Sequence, residues 1–219
     1  DPTAWPRARA NDLRVPLTQV DGHLGILRDY LQDSPEAQLS MRRVQEIVRD
    51  LRDFSSTTHD LAMMREREGQ RRSVSLALLC NNATKDFLVG RDVAVDLKEL
   101  GASKVFCDPN AIRGAITTLL SLAFDCRKPN GRITLTTSDT GYSATLRIHV
   151  ESDPVSAARV LNSTLASHGH RLSDEVAGVR ILLVRKAADL HDGAFWFASD
   201  LNSTEFMLTL PSVECAVAA

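Results

Sequence analysis

Apolar residues recur at helical spacing for the first fifty or so positions and then switch to alternation, and this change of period fixes the architecture. Leu13, Leu17, Val20, Leu24, Leu27 and Leu31 fall at steps of three and four, which predicts one long helix. Leu39, Val44, Ile47, Val48, Leu51 and Phe54 form the apolar face of a second, with Arg42, Arg43, Glu46, Arg49, Asp50, Arg52 and Asp53 mostly off it. Between the two, Asp33-Ser34-Pro35-Glu36 is a helix start: Ser34 can cap, Pro35 suits the first helical position, and Glu36 favours the positive dipole end. So short a turn makes the helices an antiparallel hairpin. Two helices cannot bury both apolar stripes alone, so a dimer closing a four-helix bundle is expected. Pro16 lies inside the first helix and should kink it.

The charged stretch Arg65-Glu66-Arg67-Glu68-Gly69-Gln70-Arg71-Arg72 ends the helical pattern. Beyond it, Ser73-Val74-Ser75 reads as a strand and Leu76 to Asp86 as a helix. Val93 to Leu97 and Lys104 to Cys107 alternate like strands. Asp108-Pro109 opens a helix with Ile112, Ala115, Ile116, Leu119, Leu120 and Ala123 on one face. Arg132 to Ser138 and Ser143 to Val150 read as a hairpin around Asp139-Thr140-Gly141. Residues 154 to 175 are helical or loose, Val179 to Leu190 is a helix, and Ala194 to Phe197 and Thr204 to Leu210 close the sheet. The expected class is α+β: a dimerising hairpin over residues 1–70, then an α/β sandwich over 71–219.

A net charge of −2 and an aromatic content of 5% argue against a nucleic-acid binder, since neither a global basic field nor a stacking surface is present. No run approaches the roughly 18 apolar residues of a membrane span, so no direct membrane contact is expected. The chain opens Asp1-Pro2, not with Met, and is expected to be a cytoplasmic fragment of a longer protein, with room for a sensor or membrane segment upstream. Cys80, Cys107, Cys126 and Cys215 are scattered, with no metal-ligand spacing, which points to reduced thiols and no metal site.

Asn11-Asp12-Leu13-Arg14-Val15-Pro16-Leu17-Thr18 resembles the phosphoacceptor box of sensor histidine kinases: His, an acid, an apolar residue, Arg or Lys, any residue, Pro, Leu, Thr or Ser. The mismatch is the nucleophile. The carboxamide nitrogen of Asn11 shares its lone pair with the carbonyl and cannot attack a γ-phosphate as a neutral imidazole does. At Val15, family members that dephosphorylate their partner carry a Thr or Asn to orient water. Asp12 keeps the acid of the box but has no imidazole beside it.

The rest of the chain is similar to the ATP-binding half of that family, the sandwich shared with the GHKL ATPases. Asp108 to Ala123 with Lys128-Pro129-Asn130-Gly131 matches the N-box helix and its following turn. The resemblance places Thr118 and Leu122 where asparagines ligate Mg²⁺. Leucine has no lone pair for a hard cation, and a threonine is one weak neutral ligand. Asp153 matches, shifted, the acid that reads adenine. No glycine lies between Gly141 and Gly169 to form the usual Asp-x-Gly-x-Gly loop. Gly178-Val179-Arg180 matches a Gly-x-Gly that opens the next helix, with Arg180 in place of its second glycine and in the phosphate approach. Ala188 to Gly193 resembles the turn into the next strand.

Among the histidines, His23 and His59 read as ordinary helix residues, His168 and His170 as a loop pair lacking a third ligand, and His191 as a helix-end residue favoured by the dipole. The resemblance therefore implies a kinase-like protein that has lost phosphoryl transfer and holds no cofactor. It would act as a homodimer that docks a response-regulator receiver domain or another histidine kinase through Arg14, Val15 and Thr18. Two alternatives stay open: a histidine phosphotransferase or kinase whose acceptor His was replaced at Asn11, and a sensor that binds ATP without turnover.

Overall fold

The computed structural model describes residues 17–20, 22–27, 34–64, 71–89, 91, 93–162 and 172–213. Residues 17–20 and 22–27 are helical. Helix α1 runs Pro35–Met64, and Ser34 Oγ accepts from the Ala37 N–H at 3.3 Å, the cap expected from the sequence. Leu17 and Leu24 share a small apolar cluster with Met41, Val48 and Leu51, and Arg52 donates to the Leu17 carbonyl at 3.4 Å. The buried seam is narrower than the predicted face. Leu39, Val44 and Ile47, expected inside, are exposed, because the helical segment they adjoin covers one stripe only.

Beyond residue 71 the elements follow as β1 (Arg72–Ser75), α2 (Leu76–Leu88), β2 (Val95–Leu97), β3 (Lys104–Cys107), α3 (Pro109–Cys126), β4 (Ile133–Asp139), β5 (Ser143–Glu151), α4 (Pro154–Asn162), α5 (Leu172–Asp189), β6 (Ala194–Ser199) and β7 (Ser203–Pro211). β1 and β3 pair antiparallel as a two-stranded sheet. The other strands form one five-stranded sheet in the order β2-β4-β5-β7-β6, with β2 parallel to β4 and every other pair antiparallel. Strand β2 is shorter than the Val93 to Leu97 alternation predicts, because only Val95, Asp96 and Leu97 find partners on β4.

The alternation of β4, β5 and β7 sends Ile133, Leu135, Leu146, Ile148, Val150, Phe206, Leu208 and Leu210 to one face, where each is at most 1% exposed. Against them lie Ile112, Ile116, Leu119 and Leu120 of α3, Leu76, Leu79 and Phe87 of α2, and Ile181 and Val184 of α5 in one continuous core. Asp108 caps α3: its Oδ1 accepts from the N–H of Asn110 at 2.8 Å and of Ala111 at 3.4 Å, and Pro109 takes the first turn as the sequence predicts. Gly141, at φ 83°, makes the β4–β5 turn where Asp139 Oδ1 accepts its N–H at 2.7 Å.

Helix α5 is longer than predicted. It starts at Leu172, not at Val179, because its apolar residues Ala177, Ile181, Val184 and Ala188 pack as one stripe into the core. It also packs against α1. At its far end, Arg71 donates to the Leu190 carbonyl and pairs with Asp192 at 3.3 Å, which ties the start of β1 to the α5–β6 turn.

Candidate functional site

The face of α3 that opposes α4 and α5 carries the residues of interest. Thr118, Leu122 and Asp125 follow at steps of four and three, so they line one stripe of the helix. Thr118 is half-buried, and its hydroxyl donates to the Gly114 carbonyl of its own helix at 2.9 Å. Leu122 is fully buried, in the cluster that also holds Val160 of α4 and Ala177 and Ile181 of α5. A position with no oxygen, enclosed by aliphatic carbon, is unsuited to a hard cation, which needs oxygen ligands.

Asp125 completes the stripe. Its Oδ2 accepts from Nη1 of Arg180 on α5 at 2.6 Å, a short charge-assisted contact. The arginine side chain is 9% exposed and the aspartate 46%, so the cation is embedded and the anion faces water. Arg180 thus spends its guanidinium on a partner inside the chain. Sequence reading singled out Arg180 and missed Asp125, although it is the sole carboxylate within Pro109–Cys126 and lies one turn past Leu122.

Gly178 does not open a helix. It sits six residues inside α5, so its backbone N–H lies within the helical ladder and not at a free N-terminus for an anion. Asp153 is likewise employed otherwise than expected. Its backbone N–H donates to the Cys126 carbonyl at 3.0 Å, its carbonyl accepts from Ala157 at 2.8 Å, and its Oδ2 accepts from the N–H of Ser156 at 2.9 Å. That is an N-cap of α4, a structural use of the carboxylate. The preceding Ser152 is buried and accepts from the Thr204 hydroxyl at 3.0 Å.

His191 also departs from its sequence reading. It is buried, not a solvated helix-end cation. The Asp108 N–H lies 3.0 Å from Nε2, and Nδ1 lies 2.6 Å from the Ala187 carbonyl. A backbone N–H only donates and a carbonyl only accepts, so Nδ1 carries the proton and Nε2 is the acceptor: the neutral imidazole. Burial, first of all, pulls its pKa below the usual histidine value. The ring thereby joins the end of α5 to the cap of α3. Asp108 Oδ2 is buried without a hydrogen-bond partner among the described residues.

Of the acceptor-box residues, Asn11, Asp12, Leu13, Arg14, Val15 and Pro16, with the expected kink, lie outside the described residues. Thr18 is helical and exposed, and so is His23. His168 and His170 lie outside as well. Cys80, Cys107 and Cys126 are buried. Burial pushes the thiols of Cys80 and Cys107 up to about 12. No helix among the described residues is long and apolar enough to cross a membrane.

No protein-family model and no curated protein matches the chain. Solved structures do. The catalytic domain of histidine kinase ThkA, in a nucleotide-free form, superposes with a TM-score of 0.53 at 17% identity, over 64% of this chain and 95% of that one. A histidine kinase from Burkholderia phymatum aligns over 96% of this chain and 98% of its own, with a TM-score of 0.54 at 17% identity. Full-length ShkA in complex with AMPPNP gives a TM-score of 0.57 at 17% identity, over 95% of this chain and 46% of that one. The chain has the α+β fold of histidine kinase catalytic domains.

Proposed function

We propose that the chain is a histidine-kinase-like signalling protein that no longer transfers phosphate and works through binding: it dimerises by its helical segments, 1–70, and docks a response-regulator receiver domain or a partner kinase. The observation that carries this is the state of the α3–α5 face. The position matching a magnesium ligand, Leu122, is sealed in aliphatic packing, and the position matching a phosphate-contacting glycine, Arg180, is held 2.6 Å from Asp125. Asn11, at the acceptor position, agrees with it from the other end of the chain.

Dimerisation is supported by the narrow seam of the helical segments. At about 100° per residue, Val44 and Ile47 fall beside Met41 and Val48, and Val20 and Leu27 beside Leu17 and Leu24, yet these four are 41%, 52%, 41% and 47% exposed. Full burial of such a side chain is worth about 1.5–3 kcal/mol, so covering the exposed half of each is worth about 1 kcal/mol. A second copy closing a four-helix bundle covers them. The docking surface then includes Thr18, which is exposed, together with Arg14 and Val15.

Calorimetry with ATP and Mg²⁺ tests the loss of the nucleotide site: no saturable heat is expected at millimolar nucleotide. Incubation with γ-labelled ATP should leave no acid-labile label on the polypeptide, and label on the chain would overturn the reading. Sedimentation equilibrium should give twice the chain mass, and V44D/I47D should reduce it to one chain. Receiver-domain capture that survives Arg14→Ala and Val15→Asp unchanged would displace the docking surface.

A further inference from the structure

We propose that the free edge of strand β6 is a docking site for an extended peptide segment with alternating apolar residues and basic ends, which adds to the five-stranded sheet as a further antiparallel strand. β6 ends the strand order β2-β4-β5-β7-β6, and all six of its residues, Ala194–Ser199, pair with β7 on one side. On the other side their backbone groups have no hydrogen-bond partner among the described residues. Which groups face outward follows from the hairpin. The Asp200 N–H donates to the Ser203 carbonyl at 2.9 Å, so these two form a hydrogen-bonded pair. Antiparallel ladders alternate such pairs with pairs that are not bonded. Ala198, Trp196 and Ala194 therefore bond to β7, opposite Glu205, Met207 and Thr209, while Phe195, Phe197 and Ser199 turn their N–H and C=O groups outward.

Sheet edges are ordinarily shielded by charge, proline or brevity. The opposite edge, β2, has three residues, with Asp96 among them and Lys98 next in the chain. The β6 edge has six, Ala-Phe-Trp-Phe-Ala-Ser, with neither charge nor proline. Phe195 and Phe197 lie half-buried on the core face with their rings 6.0 Å apart, and apolar side chains on an added strand extend that packing. On the outer face Trp196 is 50% exposed between two alanines, a ring on which a basic side chain can stack.

Charge selects the occupant. Within residues 192–202 the charged side chains are Asp192 and Asp200, one beyond each end of β6. Asp192 is 78% exposed beside Arg71, and the N–H groups of Asn202 and Ser203 favour the ionised form of Asp200. A second copy brings the same acids. Like faces must meet, so a two-fold register centred on Trp196 sets Asp192 of each copy against Asp200 of the other. A register centred on Phe197 leaves those acids two positions from opposition. Either way like charges gather at both ends, where Lys or Arg on a peptide is attracted.

The probe is the peptide Lys-Val-Thr-Val-Arg-Val-Thr-Val-Lys, whose lysines fall opposite Asp200 and Asp192 and whose arginine falls opposite Trp196. Amide exchange of the full chain is followed by NMR. Without peptide, Phe195, Phe197 and Ser199 should exchange fast and Trp196 and Ala198 slowly. Millimolar peptide should slow the three outward amides about tenfold or more. The same peptide N-methylated at its second, fourth and sixth residues, and one with Glu for each basic residue, should give no protection. W196K should weaken binding about fivefold or more, by losing the ring and adding like charge; if it does not fold, A198K on the same face replaces it. No protection, or equal protection by the N-methylated peptide, overturns the added strand. Equal protection by the Glu peptide overturns the basic partner. Protection that grows with chain concentration without peptide makes a second copy the occupant and overturns the peptide. The edge stands apart from the α3–α5 face, so the ATP titration decides the loss of transfer separately.

Discussion

His191→Ala measures how far the buried imidazole holds the sandwich together. The ring makes two hydrogen bonds, to the Ala187 carbonyl at 2.6 Å and from the Asp108 N–H at 3.0 Å, in a site 4% exposed. Each such bond contributes about 1 kcal/mol net. Truncation also leaves the Asp108 N–H buried without its acceptor and opens a ring-sized cavity, so the sum is about 3–4 kcal/mol at neutral pH. For a chain of this size that corresponds to a drop in melting temperature of roughly 6–16 °C. Acidification supplies an internal check. The folded-state pKa of His191 is lowered, chiefly by burial; the Ala187 carbonyl, Asp108 and Asp192 act in the opposite direction and Arg71 in the same one. In the unfolded chain the imidazole takes up its proton near 6.5. Below that pH the unfolded state binds more protons than the folded one, so this contribution is whole above about 6.5 and is lost as the pH falls. The gap between parent and variant should shrink between pH 7.5 and pH 5, read by circular dichroism melts. A variant within 2 °C of the parent at pH 7.5, or a gap that widens on acidification, refutes the assigned tautomer and its role.

Gly193→Ala should cost about 1–3 kcal/mol, because a Cβ there strikes the Thr209 carbonyl and the Leu210 side chain; urea titration should give a lower midpoint with an unchanged slope. Asp153→Ala removes the cap of α4 and should cost about 0.5–2 kcal/mol, with faster amide exchange at Ser156 and Ala157 and little change in β4 or β5. With pKa values of about 12, Cys80 and Cys107 hold about 1 thiolate in 10⁴ at pH 8. An aromatic disulfide reagent should leave both unlabelled in native chain and label both in urea, as read by peptide mapping.

Much of the fold is legible locally. Asp108-Pro109 predicts the start of α3 because cap and first-turn proline are chemical signals within two residues. Asp139-Thr140-Gly141 predicts the β4–β5 turn for the same reason. Strand β3 follows from its alternation. Where the outcome depends on distant neighbours, local reading fails. Gly178 suggests a helix boundary, yet the cost of one interior glycine, about 1 kcal/mol, is outweighed by the packing of Ala177, Ile181 and Val184 on either side of it. His191 at a helix end suggests a cation, and its neutrality comes from the start of α3, which covers it from 83 positions away in sequence. The partner of Arg180 lies 55 residues earlier, and no periodic pattern connects them. Val44 and Ile47 read as core because hydrophobicity marks what is to be covered and is silent on whether the same chain covers it.

During synthesis, β5 leaves the ribosome long before the strand it needs most. All nine residues of β5, 143–151, pair with β7 at 203–211, and among the described residues the intervening β6 pairs with that same β7 alone. A nascent or truncated chain ending before Ser203 therefore displays Leu146, Ile148 and Val150 on a hairpin with one row of backbone donors and acceptors unclaimed, the template on which strands of other molecules assemble. Strand β7 lies between β5 and β6 in the sheet, so a stop codon or proteolytic nick before Ser203 should convert this chain into aggregate rather than into a shortened, working domain.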